Sequence, residues 1–165
     1  MKILKVRNVK TPNRGTSKSA GIDFYVPYDL PYAVRIQPHR DFLIPSGIKA
    51  SIPEGYMLMA ADKSGVVTTS TAVKLIGRTP KKNAFDCCVI IGAKIVDEDY
   101  QGEIHIHIIN TGDDEVVIEP GTKIAQFILV PVLYDCIEEV ADENELFKAT
   151  SERGEGGFGL GTGND

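Results

Sequence analysis

Nine short runs of apolar and β-branched residues follow one another along this chain. They are ILKVRNV, GIDFYVP, AVRIQP, DFLIPSGIKASIP, GYMLMAA, CCVIIGAKIV, GEIHIHIIN, EVVIEPG and KIAQFILVPV. Glycine or proline punctuates them closely, so no run is long enough for more than a strand or a hairpin. Helical periodicity is missing from every long segment. The best helix candidate, ADENELFKA at 141–149, is short. Many short strands at even spacing predict an all-β fold, a sandwich or barrel. With 165 residues, 42% of them apolar and 25% charged, one compact core is feasible.

The formal net charge of −5 excludes a broad nucleic-acid surface, which needs clustered positive charge, and leaves room for a local basic pocket. The cysteines are Cys87, Cys88 and Cys136, and the histidines His39, His105 and His107. No CxxC pair or zinc-type spacing joins them, so reduced thiols in a cytoplasmic protein are expected. The first ten residues, MKILKVRNVK, lack the apolar core of a signal peptide, and no stretch approaches a membrane-spanning length.

The sequence divides into a β domain over 1–149 and an arm over 150–165. The arm contains ERGEGGFGLGTG, with six glycines around Arg153 and Phe158. Such a tail cannot pack a core and is expected to be mobile. A linker has no use for one aromatic ring between Gly157 and Gly159. Backbone N–H groups here can instead wrap a polyphosphate, Arg153 can clamp it, and Phe158 can stack on a base.

Four further stretches carry chemistry. In ADKSGVV, Lys63, Ser64 and the Gly65 backbone offer a cation, a hydroxyl and an exposed N–H, a set that suits phosphate. IVDEDYQGEI gathers Asp97, Glu98 and Asp99 around Tyr100 and Gly102; it reads as a general base at the end of an apolar run, or as an acidic hairpin turn. SAGIDFYVP sets Asp23 among apolar residues, and GTKIAQFIL sets Gln126 within an apolar strand, where a polar group needs a partner. In EIHIHIIN the alternation puts Ile104, Ile106 and Ile108 on one face and His105 and His107 on the other. That polar face is expected to meet water or a partner subunit rather than a metal, because no third ligand stands nearby.

Taken in order, SAGIDFYVP, DKSG, GAKIVDEDYQGEIHIHIIN, GTKIAQFI and RGEGGFGLGTG resemble the five motifs of the trimeric dUTP pyrophosphatase (dUTPase) family, over roughly residues 19 to 163. The resemblance implies a jelly-roll-like distorted β-barrel and a homotrimer with sites at subunit interfaces. The arm would close over a neighbouring subunit's site. The implied reaction cleaves dUTP to dUMP and pyrophosphate with Mg²⁺, held by the triphosphate and water rather than directly by the chain. Asp97 would activate the water that attacks the α-phosphorus. Tyr100 would exclude a 2′-hydroxyl, with Ile95, Lys94 and Phe158 around the sugar and base. Lys63, Ser64, Gly65, Gln126, Arg153, Gly157 and Thr162 would hold the phosphates, and Asp23 would support the site through metal-bound water.

Four features depart from the family pattern. Lys63 stands where arginine is usual, keeping the charge and losing the bidentate fork. The segment TTSTAVKLIGRTPKKNAFDCC between Gly65 and Asp97 is longer than in typical members, and its residues 72–88 are a candidate surface for a protein partner. Ile91 and Lys94 occupy the places of an asparagine and a glycine in the base-reading hairpin, which leaves a different pyrimidine preference open. Leu160 replaces a serine, whose role could pass to Thr162. A nucleotide-switched regulatory protein on the same scaffold is the alternative from another class. Deamination of dCTP is disfavoured, because the position of that family's catalytic glutamate, five after Gly102, is His107.

Overall fold

The computed structural model describes residues 1–63, 74–76, 89–149, 151 and 154. The chain forms two units, Met1–Leu133 and Tyr134–Asp165.

The first unit holds thirteen strands: β1 (Lys2–Lys5), β2 (Asn13–Arg14), β3 (Ile22–Tyr25), β4 (Val34–Ile36), β5 (Asp41–Pro45), β6 (Ile48–Ser51), β7 (Tyr56–Ala61), β8 (Lys74–Ile76), β9 (Val89–Ile91), β10 (Ile95–Val96), β11 (His105–Asn110), β12 (Glu115–Ile118) and β13 (Lys123–Pro131). They form four antiparallel sheets, ordered β1-β6, β10-β7-β13-β3-β2, β5-β11-β9 and β4-β12-β8. The all-β expectation holds, and each of the nine runs supplies at least one strand.

Alternation explains which face each strand buries. In β11, Ile106 and Ile108 are buried while His105 is exposed and His107 half-buried. Phe24 of β3 and Ala125 and Phe127 of β13 share one sheet face, and the two phenylalanine rings lie 4.4 Å apart. With Leu58, Ile44, Ile48, Val116 and Ile118 they belong to one continuous apolar core. The buried Asn110 is fully used. Its Nδ2 donates to the carbonyls of Ile36, Gln37 and Asp114, and its Oδ1 accepts from Gly112 N–H.

Two strands lie outside the nine runs. Strand β2 is a two-residue polar pair on the edge beside β3. Strand β8 comes from the long segment before Asp97 and pairs Lys74–Ile76 with Glu115–Val117, so part of that segment completes the β4-β12 sheet.

One irregularity shapes the site. The β3–β13 register shifts between Lys123 and Ala125. In a regular strand, Lys123 and Gln126, three apart, would face opposite sides; one extra residue brings both to the face opposite Phe24 and Phe127. The turn leading into β13 requires Gly121, whose φ is +79° and where a Cβ would meet Tyr28 Cε1 at 2.3 Å.

In the second unit, one helical turn, α1 (Glu143–Leu146), is capped by Asp142, whose carboxylate accepts from Asn144 N–H at 2.8 Å. It falls within the expected helix segment.

Candidate active site

Two groups that hold sequence-predicted residues form along β7, one past its C-terminal end at Ala61 and one running back toward its start at Tyr56. The first is cationic. Asp23, on β3, is only 4% exposed, and each carboxylate oxygen accepts from a lysine: Lys63 Nζ at 2.8 Å and Lys123 Nζ at 2.9 Å. Burial pushes the Asp23 carboxyl up. The hydrogen bonds and charges of the two lysines outweigh that and hold it below the usual aspartate value. The contact with Asp23 in turn raises Lys123 above the usual lysine value. One carboxylate facing two ammonium groups leaves a net positive charge at the end of the sheet, which suits a polyphosphate.

Gln126 sits opposite Asp23 in the β3–β13 register, and its amide donates to the Asp62 carbonyl at 2.9 Å. That is the partner its place in an apolar strand demanded. Gly21 makes the approach possible, because a Cβ there would lie 2.2 Å from Gln126 Oε1.

The second group is the β9–β10 connection, which crosses from one sheet to another and is the segment expected as the base-reading hairpin, and the turn after it. Ile95 pairs with Met59 on β7, and Lys94 accepts from Ala60 N–H through its carbonyl. Lys94, Ile95 and Asp97 are all exposed. A tight turn follows, closed by Tyr100 N–H donating to the Asp97 carbonyl at 3.2 Å. Within it the carboxylates divide their tasks. Glu98 accepts from Gly55 N–H and braces the turn, whereas the Asp97 carboxylate makes no hydrogen bond or ion pair among the described residues. Tyr100 folds back across the turn, its hydroxyl donating to the Glu103 carbonyl at 3.0 Å. A Cβ on Gly102 would lie 2.3 Å from that hydroxyl, so glycine lets the ring settle there.

Asp62 ties the two groups together. Its carboxylate accepts from Ile91 N–H at 2.7 Å while its carbonyl holds Gln126. Ile91 itself is buried in the core, so its side chain does not face a base. Ser64, Gly65, Arg153, Gly157, Phe158 and Thr162 lie outside the described residues, as do Leu160 and the basic residues Arg78, Lys81 and Lys82.

Sequence reading missed Lys123 and Asp62. Lys123 stands inside GTKIAQFI, yet only the register shift turns it toward Asp23. Asp62 acts partly through its main-chain carbonyl, which no residue type announces.

A cationic group past the C-terminal end of β7 and an acidic turn bearing a tyrosine by its start go together with a family match. Residues 7–162 match the dUTPase family. The chain belongs to the dUTPase family. The deoxyuridine 5'-triphosphate nucleotidohydrolase of Brucella melitensis is 33% identical over 153 residues, covering 93% of this chain and 85% of that protein. The Chlamydia pneumoniae protein of the same name is 36% identical over 148 residues, covering 90% and 88%. Among solved structures, the Staphylococcus bacteriophage 80alpha dUTPase with dUPNHPP superposes with a TM-score of 0.72 at 24% identity, covering 96% of both chains. The dUTPase from phage phi11 of S. aureus, a structure that visualises a species-specific insert, gives 0.65 at 20% identity, covering 86% and 96%. These two likenesses confirm the dUTPase fold.

Proposed function

We propose that this dUTPase-family chain hydrolyses dUTP to dUMP and pyrophosphate, with water attacking the α-phosphorus. Two observations carry the reading: a carboxylate, Asp97, with no hydrogen-bond partner for its side chain among the described residues, and a cationic strand end held by Asp23, which sits toward the other end of β7 and would meet Asp97 between subunits. A general base needs lone pairs free of internal partners; among the described residues the Asp97 carboxylate accepts no hydrogen bond, whereas Glu98 is anchored by Gly55 N–H. Lys63, Lys123 and Gln126 form the preorganised phosphate end, joined by Ser64, Gly65, Arg153, Gly157 and Thr162 by resemblance. Their task is positioning and charge neutralisation.

The hairpin supplies the base reading. Among the described residues, neither the Ala93 carbonyl nor the Lys94 N–H is engaged. The two belong to one trans peptide and point to opposite sides, so the Ala93 carbonyl alone is assigned to the base, taking the N3–H of uracil and opposing the bare N3 of cytosine. The side chains of Lys94 and Ile95, with Phe158 from the arm, surround the base and sugar, and the Tyr100 ring closes the space a 2′-hydroxyl would need.

Mg²⁺ fits this donor set as a metal held by the substrate. Among the described residues no cluster of three acidic, histidine or cysteine side chains is arranged around a common point, and both Asp23 oxygens already face lysines. Bound to the triphosphate, it would supply further charge neutralisation; Asp23 can reach it only through water. A homotrimer completes the site. Phe42, Leu43, Ile90 and Ile95 leave large apolar surface exposed on a single chain, which favours burial between subunits. The exposed Cys136, in no disulfide among the described residues, agrees with a reducing cytoplasm.

A second, compatible reading is regulatory. Phage 80alpha dUTPases are described as controlling transfer of virulence genes, and here residues 72–88 overlap the added strand β8. Deleting residues 77–88 would then abolish partner capture and spare hydrolysis.

The primary test is pyrophosphate release with Mg²⁺ from dUTP, dCTP, dTTP, dATP, dGTP and UTP. Strong preference for dUTP with UTP rejected is expected. Preference for another pyrimidine would overturn the base assignment, and no turnover at all would overturn the enzymatic one.

A further inference from the structure

His107 is half-buried on β11 and belongs to neither group above. It lies opposite Leu43 of β5, and its Nε2 is 2.9 Å from Asp41 Oδ2, two residues along on the same face. On its other side, Ala93 N–H points at His107 Nδ1 at 3.0 Å. A backbone amide can only donate, so Nδ1 is the acceptor. Nε2 therefore carries the proton and donates to Asp41. The contact with His107 is also the foremost reason that the Asp41 carboxyl lies below its usual value.

The hairpin is shaped to receive this ring. Gly92 N–H donates to the His107 carbonyl at 3.0 Å, which continues the β9–β11 ladder one residue past the strand end. A Cβ on Gly92 would lie 2.3 Å from His107 Nδ1 and 2.7 Å from Cε1. Glycine is thus required for the imidazole to lie across the start of the hairpin and reach Ala93. The Lys94 carbonyl is fixed from the opposite side by Ala60 N–H. Two of the hairpin's three residues are pinned by the main chain alone. The middle one, Ala93, has its N–H held by the His107 side chain.

We infer that His107 is a positioning residue for base recognition. By holding the Ala93 N–H it fixes the Gly92–Ala93 peptide, and with the Lys94 carbonyl held by Ala60 it sets the direction of the Ala93 carbonyl between them, with Asp41 fixing the tautomer that makes this possible. The inference rests on the proposed reading of the hairpin as the base-contacting element. It also reassigns the polar face of EIHIHIIN: one of its two histidines works within the chain, between β5 and the β9–β10 connection.

The test compares the full-length protein with His107→Leu, which removes the acceptor and keeps bulk, and His107→Gln, whose amide oxygen can accept from Ala93. Steady-state kinetics with dUTP and dCTP are measured for all three, and ring and amide ¹⁵N shifts for wild type and His107→Leu. Losing one such hydrogen bond should raise KM for dUTP about two- to tenfold. The preference for dUTP over dCTP should fall by a similar factor and kcat should barely change. His107→Gln should recover most of the loss. In the wild type, Nδ1 should be unprotonated, and the Ala93 amide should shift in His107→Leu. Unchanged KM and base preference in His107→Leu would overturn the inference, as would a fall in kcat alone or equal behaviour of the two variants. If wild type fails to turn over dUTP, the proposed activity is what falls. The ¹⁵N shifts still decide the contact, and a protonated Nδ1 would refute it.

Discussion

Replacing Asp23 by asparagine keeps the shape of the side chain and removes its charge. Both carboxylate oxygens now accept from lysine ammonium groups, and a hydrogen bond to a charged partner contributes about 1.5–3 kcal/mol. Doubling that overstates the loss. The Lys63 and Lys123 side chains are 26% and 40% exposed, so both regain water once released, and the asparagine oxygen still serves one of them. A net loss of about 2 kcal/mol remains, and for a chain of this size that lowers Tm by about 4–8 °C. Thermal unfolding of wild type and Asp23→Asn at matched protein concentration measures it.

The pH dependence sharpens the test. The folded pKa of Asp23 lies below its ordinary 3.8, so the carboxylate's contribution is complete above that pH and disappears as pH falls through the folded value. The folded pKa of Lys123 lies above its ordinary 10.5, so its contribution is complete below 10.5 and disappears as pH rises beyond it. The gap between wild type and variant should therefore be full at pH 7 and close below pH 3.8 or above pH 10.5. Equal Tm values at pH 7, or a gap that does not change at acid pH, would refute the account of this cluster.

Three shorter predictions concern turnover. Asp97→Asn should keep nucleotide affinity, measured by calorimetry, and lose kcat by about a hundredfold or more, since only the base is removed. Gly102→Ala should leave the fold intact and displace the Tyr100 ring, lowering the preference for dUTP over UTP about tenfold or more; an unaltered preference would remove Tyr100 from sugar discrimination. Truncation after Thr150 should leave melting and assembly unchanged while turnover drops about a hundredfold; normal turnover would show the arm to be dispensable.

The fold was largely legible because its strands carry their instructions locally. Alternation in EIHIHIIN announced which side of β11 is buried, and glycine and proline marked where each run stops. Strand β2 escaped because two polar residues on a sheet edge have no pattern to display. Strand β8 escaped because it lies in a segment read as extra length and a candidate partner surface, and its pairing with β12 is a long-range choice.

The same division holds at the site. Asp23, Lys63 and Gln126 could be singled out as polar groups in apolar or phosphate-suited contexts, and the fold brings them together. Lys123 joins them only through a register shift that spacing conceals. The role of His107 depends on Asp41 and Ala93, 66 and 14 residues away in sequence, and no local periodicity encodes such a pair.

The central claim is that water activated by Asp97 attacks the α-phosphorus. Single-turnover hydrolysis of dUTP in H₂¹⁸O, with mass analysis of both products, tests it most directly. The account predicts one ¹⁸O in dUMP and none in pyrophosphate. Label in pyrophosphate would place the attack on the β-phosphorus and contradict the assignment.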